Sequence, residues 1–276
     1  MPDGTVLFNY HQYGGEWEEI QAEVIEEGFV TIFVNGRELA SLMCTPRDPL
    51  QLALGFLANE EFIQSYEEIE IDHVCQGGGC VDIWLSHPVW DQPRRAVITS
   101  GCGGGLTFAD LAAHQPPVTS DITISPEKIG DLMVQLQSQD SLYARARGVH
   151  TSALSDGQQL ILLAEDVGRH NTIDRLRGEC LRRGIDPKGM ILLATGRISS
   201  EMINKAVKMG CPIVASRTSP TSMSVGLARE WNITLCGYVR RNRMSVYAHP
   251  QRLAGAQRND LASYKVHFLE SAFGSD

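Results

Sequence analysis

The sequence predicts an α/β protein. A mostly parallel sheet covered on both faces forms the second half, and a smaller β-containing part precedes it. Three observations carry this expectation. In the second half, apolar β-branched runs alternate with helix-spaced segments, the rhythm of β-α-β units. The first half shows short strands separated by Asn-Gly and glycine runs. The chain has 276 residues, 43% of them hydrophobic and 21% charged, which lets it bury a sizeable core without covalent staples.

The elements follow in order. Val30 to Val34 is a β-branched run ending at Asn35-Gly36, a strong hairpin signal, so Leu39 to Met43 pairs back. Asp48-Pro49 supplies an N-cap and a first-turn proline, and Leu50, Ala53, Leu54 and Leu57 have helical spacing to about Phe62. Ile69 to Val74 and Val81 to Leu85 are strands joined through Gln76-Gly77-Gly78-Gly79. Ala96 to Thr99 is a short strand running into Ser100-Gly101-Cys102-Gly103-Gly104-Gly105. After Gln115-Pro116-Pro117, Ser125-Pro126 starts a helix carrying Ile129, Leu132, Met133 and Leu136. Strands then fall at Leu160 to Ala164, Met190 to Ala194, Ile213 to Ala215, Ile233 to Val239 and Met244 to Tyr247. Helices between them end at Gly184 and Gly210, and another opens at Ser219-Pro220. The expected units are 1–120, ending in the glycine-rich Cys102 loop, and 121–276. The polar stretch beyond Arg252 reads as a loosely attached tail.

Lys plus Arg total 24 against 33 Asp plus Glu, a formal charge of -9. A general nucleic-acid or anionic-membrane coat needs the opposite sign, so neither DNA nor a membrane is an expected partner. Anion binding has to come from a local arginine cluster. Seven cysteines, no basic and apolar leader at the start, and no apolar run near the ~18 residues of a membrane span point to a reducing cytoplasm with mostly free thiols.

In open α/β sheets ligands gather beyond the carboxyl ends of the strands. Four segments fall there: Glu165-Asp166-Val167-Gly168-Arg169-His170-Asn171, Thr195-Gly196-Arg197-Ile198-Ser199-Ser200, Ser216-Arg217-Thr218-Ser219 and Tyr238-Val239-Arg240-Arg241-Asn242-Arg243. Six arginines thus converge on one edge from four crossovers, three of them near helix N-termini that already favour anions. Guanidinium forks grip phosphates in a bidentate way, and Tyr238 offers a ring for a base, so a phosphorylated, nucleotide-bearing ligand is expected. Taken singly, an arginine at a strand end is better read as pairing with Asp166, Asp174 or Glu201 on the solvated surface; it is the group, on an acidic protein, that points to the site.

Cys102 is the second outlier. Glycines on both sides leave its thiol almost without cover, and accessible backbone N–H groups there can stabilise thiolate or persulfide. It reads either as a mobile covalent carrier or as a glycine turn that includes a cysteine. Cys75 and Cys80 bracket a glycine turn near His73 and His87, with spacing that suits a hairpin bracket better than structural zinc. His150-Thr151-Ser152 is a polar strand end reaching the site or the setting of a core histidine. Cys44, Cys180, Cys211 and Cys236 sit in apolar or helical surroundings and read as packing residues. Walker A, dinucleotide and zinc-deaminase signatures are missing, which disfavours a nucleotide-dependent hydrolase.

Several of these runs resemble one family, the formate dehydrogenase accessory sulfurtransferases (FdhD family). They are Val34 to Ala40 with Met43-Cys44-Thr45-Pro46, Leu52 to Leu57, Thr99-Ser100-Gly101-Cys102-Gly103, Glu165 to Asn171, Gly196 to Met202 and Ser216 to Thr221. The similarity runs in order from about Thr31 to Leu253. It implies a cytidine-deaminase-like α/β/α domain behind a small N-terminal β-containing domain, and a homodimer. It implies a sulfur carrier that takes sulfur from a cysteine desulfurase as a persulfide on Cys102. The recipient is the bis-guanine-dinucleotide molybdenum (or tungsten) cofactor that formate dehydrogenase needs, bound as substrate, with no metal of the protein's own. Tyr238, Val239, Arg240, Arg241, Asn242 and Arg243 align with the cofactor-binding segment, and Arg197, Arg217 and His170 join them on the same edge. The chain departs from the family at one point: many members have Cys-x-x-Cys in the loop, and here the second position is Gly105. A non-covalent cofactor-binding chaperone is the alternative.

Overall fold

The computed structural model describes residues 4–88, 115–136 and 141–256, together with the backbone of 97–98 and 106–107. The Cys102 loop and the tail from residue 257 lie outside the described residues.

The chain opens on an antiparallel ribbon, β1 (Thr5–Tyr13) and β2 (Trp17–Ile25), that the sequence patterns did not announce. β3 (Gly28–Val34) and β4 (Arg37–Cys44) then turn through Asn35 and Gly36, both at positive φ as the Asn-Gly pair requires. β5 (Ile69–Val74) and β6 (Cys80–Leu85) complete a sheet of order β4-β3-β6-β5 in which β3 and β6 run parallel. Their turn carries a disulfide between Cys75 and Cys80, so the pair brackets the hairpin as its spacing suggested, while the other described cysteines are free. β7 (Val97–Ile98) and β8 (Leu106–Thr107) form a short antiparallel pair.

Inward alternation of Val30, Ile32, Val34, Val81 and Ile83 gives this sheet one apolar face, which α1 (Pro49–Asn59) covers with Leu52, Phe56 and Leu57. Pro49 starts α1 as expected, but Asp48 does not cap it: its backbone is left-handed and its side chain makes no capping bond. Arg175 explains the distortion, because its guanidinium draws in the carbonyls of Thr45, Arg47 and Asp48.

The second sheet contains β9 (His150–Ser155), β10 (Leu160–Asp166), β11 (Ile191–Ala194), β12 (Ile213–Ser216), β13 (Thr234–Arg240) and β14 (Arg243–Ala248), in the order β10-β9-β11-β12-β13-β14. Only the β11–β12 and β12–β13 pairings are parallel, so the expectation of a mostly parallel sheet is corrected to a mixed one. The reason lies in two short connections. Residues 156–159 turn β9 straight back into β10, and Arg241-Asn242 turns β13 into β14, and neither is long enough for a crossover.

Helices α4 (Arg169–Arg183), α5 (Ser200–Lys208) and α6 (Ser222–Glu230) pack on one face through Ile173, Leu176, Met202, Ile203 and Leu227. On the other face, α2 (Pro126–Gln135) buries Ile129, Leu132 and Met133 over Leu193, Ile213, Ala215 and Cys236. A short α3 (Leu142–Ala146) precedes β9. Ser125 caps α2 through the Lys128 N–H, and Gly184 ends α4 at positive φ, both as read from sequence. α6 is capped by Thr221 in a box with Ser224, two residues later than Ser219-Pro220 suggested.

Candidate functional site

β10, β11, β12 and β13 point the same way, so their carboxyl ends share one edge with the starts of β9 and β14. Backbone bonds stitch the loops there into a continuous surface. The Thr195 N–H donates to the Thr151 carbonyl at 2.9 Å and that of Arg217 to Ala194 at 3.1 Å. Ile198 donates to Ser219 at 3.2 Å, and Tyr238 to Thr218 at 3.0 Å. The Ser216 hydroxyl donates to the Gly196 carbonyl at 2.6 Å. Gly196 has no side chain because a Cβ there would press within 3.1 Å of both Arg169 and His150. The four motifs are therefore neighbours in space, and the N-termini of α4, α5 and α6 open onto the same edge.

The predicted residues divide into two groups. Arg197, Tyr238, Arg240, Asn242 and Arg243 are exposed, and Arg217 is half-buried. Tyr238 sits at φ 52, a left-handed conformation unusual for a side chain of its size, at a register break between Gly237 and Arg240. That kink leaves Tyr238 49% exposed while Val239 turns fully into the core. Val239 thus anchors the turn from beneath. Arg240 Nη1 donates to the Arg217 carbonyl at 2.7 Å and to the Val239 carbonyl at 2.8 Å, fastening β13 to the loop after β12. Arg241 instead reaches Asp131 of α2 at 3.2 Å.

His170 lies behind this surface, 7% exposed, with Nε2 at 3.0 Å from Ser199 Oγ and 3.3 Å from Glu201 Oε2. Burial, with the Lys205 and Arg169 cations adding to it, pushes its pKa down to about 2, so the imidazole is neutral. His150 is lowered as well, by burial and by Arg169. Deeper still, Lys205 Nζ donates to both Asp174 oxygens at 2.7 and 2.8 Å, and Asn59 of α1 donates to Asp174 at 2.7 Å. Burial opposes the Lys205 charge, but Asp174 and Glu201 hold its pKa above the ordinary lysine value.

Sequence reasoning missed this buried network, as well as the ion pair of Asp166 with Arg175 at 2.8 Å. The alternative of surface pairing needed Asp166, Asp174 and Glu201 on the solvated surface, whereas all three are almost wholly buried. The i,i+4 spacing of Glu201 and Lys205 was the one visible signal. Two further clefts open on the surface. One cavity of about 430 Å³ lies between Arg47, Gln51, Leu163 and Glu179. Another of about 420 Å³ is lined by Asp121, Asn232 and Arg252. Among the described residues, no cluster of three or more His, Cys, Asp or Glu could hold a metal ion, and no helix is long and apolar enough to cross a membrane. Cys102, the predicted reactive residue, lies outside the described residues.

Fold and edge together define a mixed α/β protein with a cationic rim built from three helix starts and a kinked hairpin. The FdhD/NarQ family model matches residues 25–254, so the chain belongs to that family. It is 37% identical over 253 residues to the sulfur carrier protein FdhD of Bacillus subtilis, covering 90% of this chain and 95% of that one. Its identity to the sulfur carrier protein FdhD of Staphylococcus aureus (strain MRSA252) is 34% over 241 residues, covering 86% and 91%. Among solved structures, it resembles a putative formate dehydrogenase accessory protein from Desulfotalea psychrophila, with TM-score 0.73 and 26% identity over 90% of this chain and 99% of that one.

Proposed function

We propose that this chain is a sulfur carrier in formate dehydrogenase maturation. Cys102 accepts sulfur from a cysteine desulfurase and passes it to a bis-guanine-dinucleotide molybdenum or tungsten cofactor. In the first step the Cys102 thiolate attacks the outer sulfur of the donor's persulfide. A new S–S bond forms on Cys102, and the donor cysteine leaves as a thiolate. In the second step an outside thiol reductant supplies two electrons and becomes a disulfide. The terminal sulfur passes as sulfide to the cofactor, the substrate of the reaction, and Cys102 returns to its thiol. The same reading takes the protein to act in the cytoplasm as a homodimer.

The observation that carries this reading is the convergence of Arg197, Arg217, Arg240 and Arg243 with exposed Tyr238 on one edge, in a chain of family members named sulfur carriers. On an acidic protein, that edge is a local site for a polyanion with bases to stack. The cofactor's two nucleotides carry phosphates suited to the guanidinium forks. His170 acts from behind as a neutral strut between α4 and the start of α5, which fixes the loop bearing Arg197.

The test is formate dehydrogenase activation in cells lacking the endogenous carrier. Both Cys102→Ala and the Arg240→Ala/Arg243→Ala double variant lose activation if sulfur travels covalently. Full activation by Cys102→Ala with loss in the arginine variant contradicts covalent carriage and supports the cofactor-chaperone alternative.

A further inference from the structure

The cysteines outside the Cys102 loop fall into two groups. Among the described residues, Cys44, Cys180, Cys211 and Cys236 are buried, and burial pushes their thiols up to about 12, 11, 12 and 12. Protonated and enclosed, they are poor nucleophiles. Cys75 and Cys80 differ in every respect. They are only partly buried, flank the turn of the β5–β6 hairpin and are joined as a disulfide with Cα atoms 5.2 Å apart.

The hairpin does not need that bond to close. The Cys75 N–H donates to the Cys80 carbonyl at 2.9 Å, the Gly78 N–H donates to the Cys75 carbonyl at 2.9 Å, and the Thr31 N–H holds the Gly79 carbonyl at 3.0 Å. Gly77 and Gly78 take positive φ, and no atom lies within 4 Å of where a Cβ would stand on Gly77, Gly78 or Gly79. The turn is therefore open space beside two sulfurs that the ladder already holds within bonding reach. Strand alternation places Cys80 with Asp82 and exposed Trp84 on the face that α1 does not cover.

We propose that Cys75 and Cys80 form a reversible dithiol–disulfide couple that reduces a cysteine persulfide to sulfide. The persulfide as substrate rests on the sulfur-carrier reading; the couple itself rests on the hairpin. In the reduced state one thiolate attacks the outer sulfur of a persulfide. An S–S bond forms to the attacking cysteine, and the donor thiolate departs. The second cysteine then attacks the first at its own sulfur, forming the Cys75–Cys80 bond and expelling sulfide. Two thiols lose two electrons and the sulfane sulfur gains them. The product state is the disulfide present in this structure. A dithiol reductant resets the pair by exchange, becoming a disulfide itself.

The experiment uses the full-length Cys102→Ser protein, so that carriage on Cys102 does not contribute. The protein is reduced with dithiothreitol, desalted without oxygen and treated with glutathione persulfide. Sulfide release is measured, and the states of Cys75 and Cys80 are read by alkylation and peptide mapping. One sulfide per chain is expected, with the pair converted to the disulfide. Cys75→Ser, Cys80→Ser and the double variant, each in the same background, release none above buffer. Release by the double variant equal to that of its parent overturns the proposal, as does a pair that stays alkylatable after treatment. Desulfurase labelling of Cys102 in the unaltered protein is read separately, so failure of one site leaves the other's result intact.

Discussion

Gly55 of α1 and Gly178 of α4 meet backbone to backbone. A Cβ on Gly55 would overlap the Asp174 carbonyl, and one on Gly178 would overlap the Gln51 carbonyl. This crossing docks the N-terminal sheet onto the helix that begins at the arginine edge. Two close helix backbones leave no room for a methyl group, and neither can yield without moving its sheet. Gly55→Ala and Gly178→Ala each therefore lose about 1–3 kcal/mol or more by overpacking. Denaturant unfolding measures the loss, and an unchanged midpoint for either variant refutes the close crossing.

The joint is fastened a second time by Asp166 and Arg175. Asp166 is fully buried and accepts from Arg175, Gly168, Asn171 and the Thr45 N–H. Arg175→Ala strands that carboxylate and costs about 3–5 kcal/mol. Combining Arg175→Met with Asp166→Asn removes both charges and recovers part of the loss. A double variant no more stable than Arg175→Ala rules out an unpaired charge as the cause.

Acid sensitivity follows from His170. The folded imidazole resists protonation down to about pH 2, whereas the unfolded one takes a proton near its ordinary 6.5. Its contribution is therefore complete above pH 6.5 and falls as the pH drops towards 2, by up to about 1.4 kcal/mol per unit. His150 is lowered too and adds to the same slope. Stability measured between pH 7 and 5 falls for the parent and falls less for His170→Gln. Equal slopes mean that His170 is protonated in the folded state.

The arginines of the edge separate by partner. Arg241 pairs with Asp131 in an exposed contact, where an ion pair contributes roughly 0–1 kcal/mol, so Arg241→Ala leaves stability nearly unchanged. Removing a guanidinium that holds a phosphate costs on the order of 1.5–3 kcal/mol, about tenfold or more in affinity. Guanosine diphosphate binding, measured by calorimetry at low ionic strength, weakens by that factor in Arg240→Ala and Arg243→Ala and declines with added salt. Absence of binding by the parent protein refutes the nucleotide site.

Local signals proved reliable wherever the backbone itself decided the outcome. Asn35-Gly36, Ser125-Pro126 and Gly184 each formed the turn, start or stop their chemistry dictates. The gathering of 165–171, 195–200, 216–219 and 238–243 on one edge was legible too, because it needs only strand direction. What escaped was set by tertiary partners. β9 begins His150-Thr151-Ser152, too polar to read as a central strand, yet those hydroxyls find Glu165 and Thr172 inside the fold. Asp48 has the composition of a cap but gives its carbonyl to Arg175. His170 belongs to a motif that faces the edge in sequence, but its ring is drawn inward by Ser199 and Glu201.

Intact-mass and peptide mass spectrometry of the chain after incubation with a cysteine desulfurase and cysteine tests the sulfur-carrier reading most directly. One added sulfur atom located on Cys102, removed by reductant and missing from Cys102→Ala, is the predicted result. Sulfur uptake by Cys102→Ala equal to that of the parent, or no uptake by the parent from an active desulfurase, contradicts it.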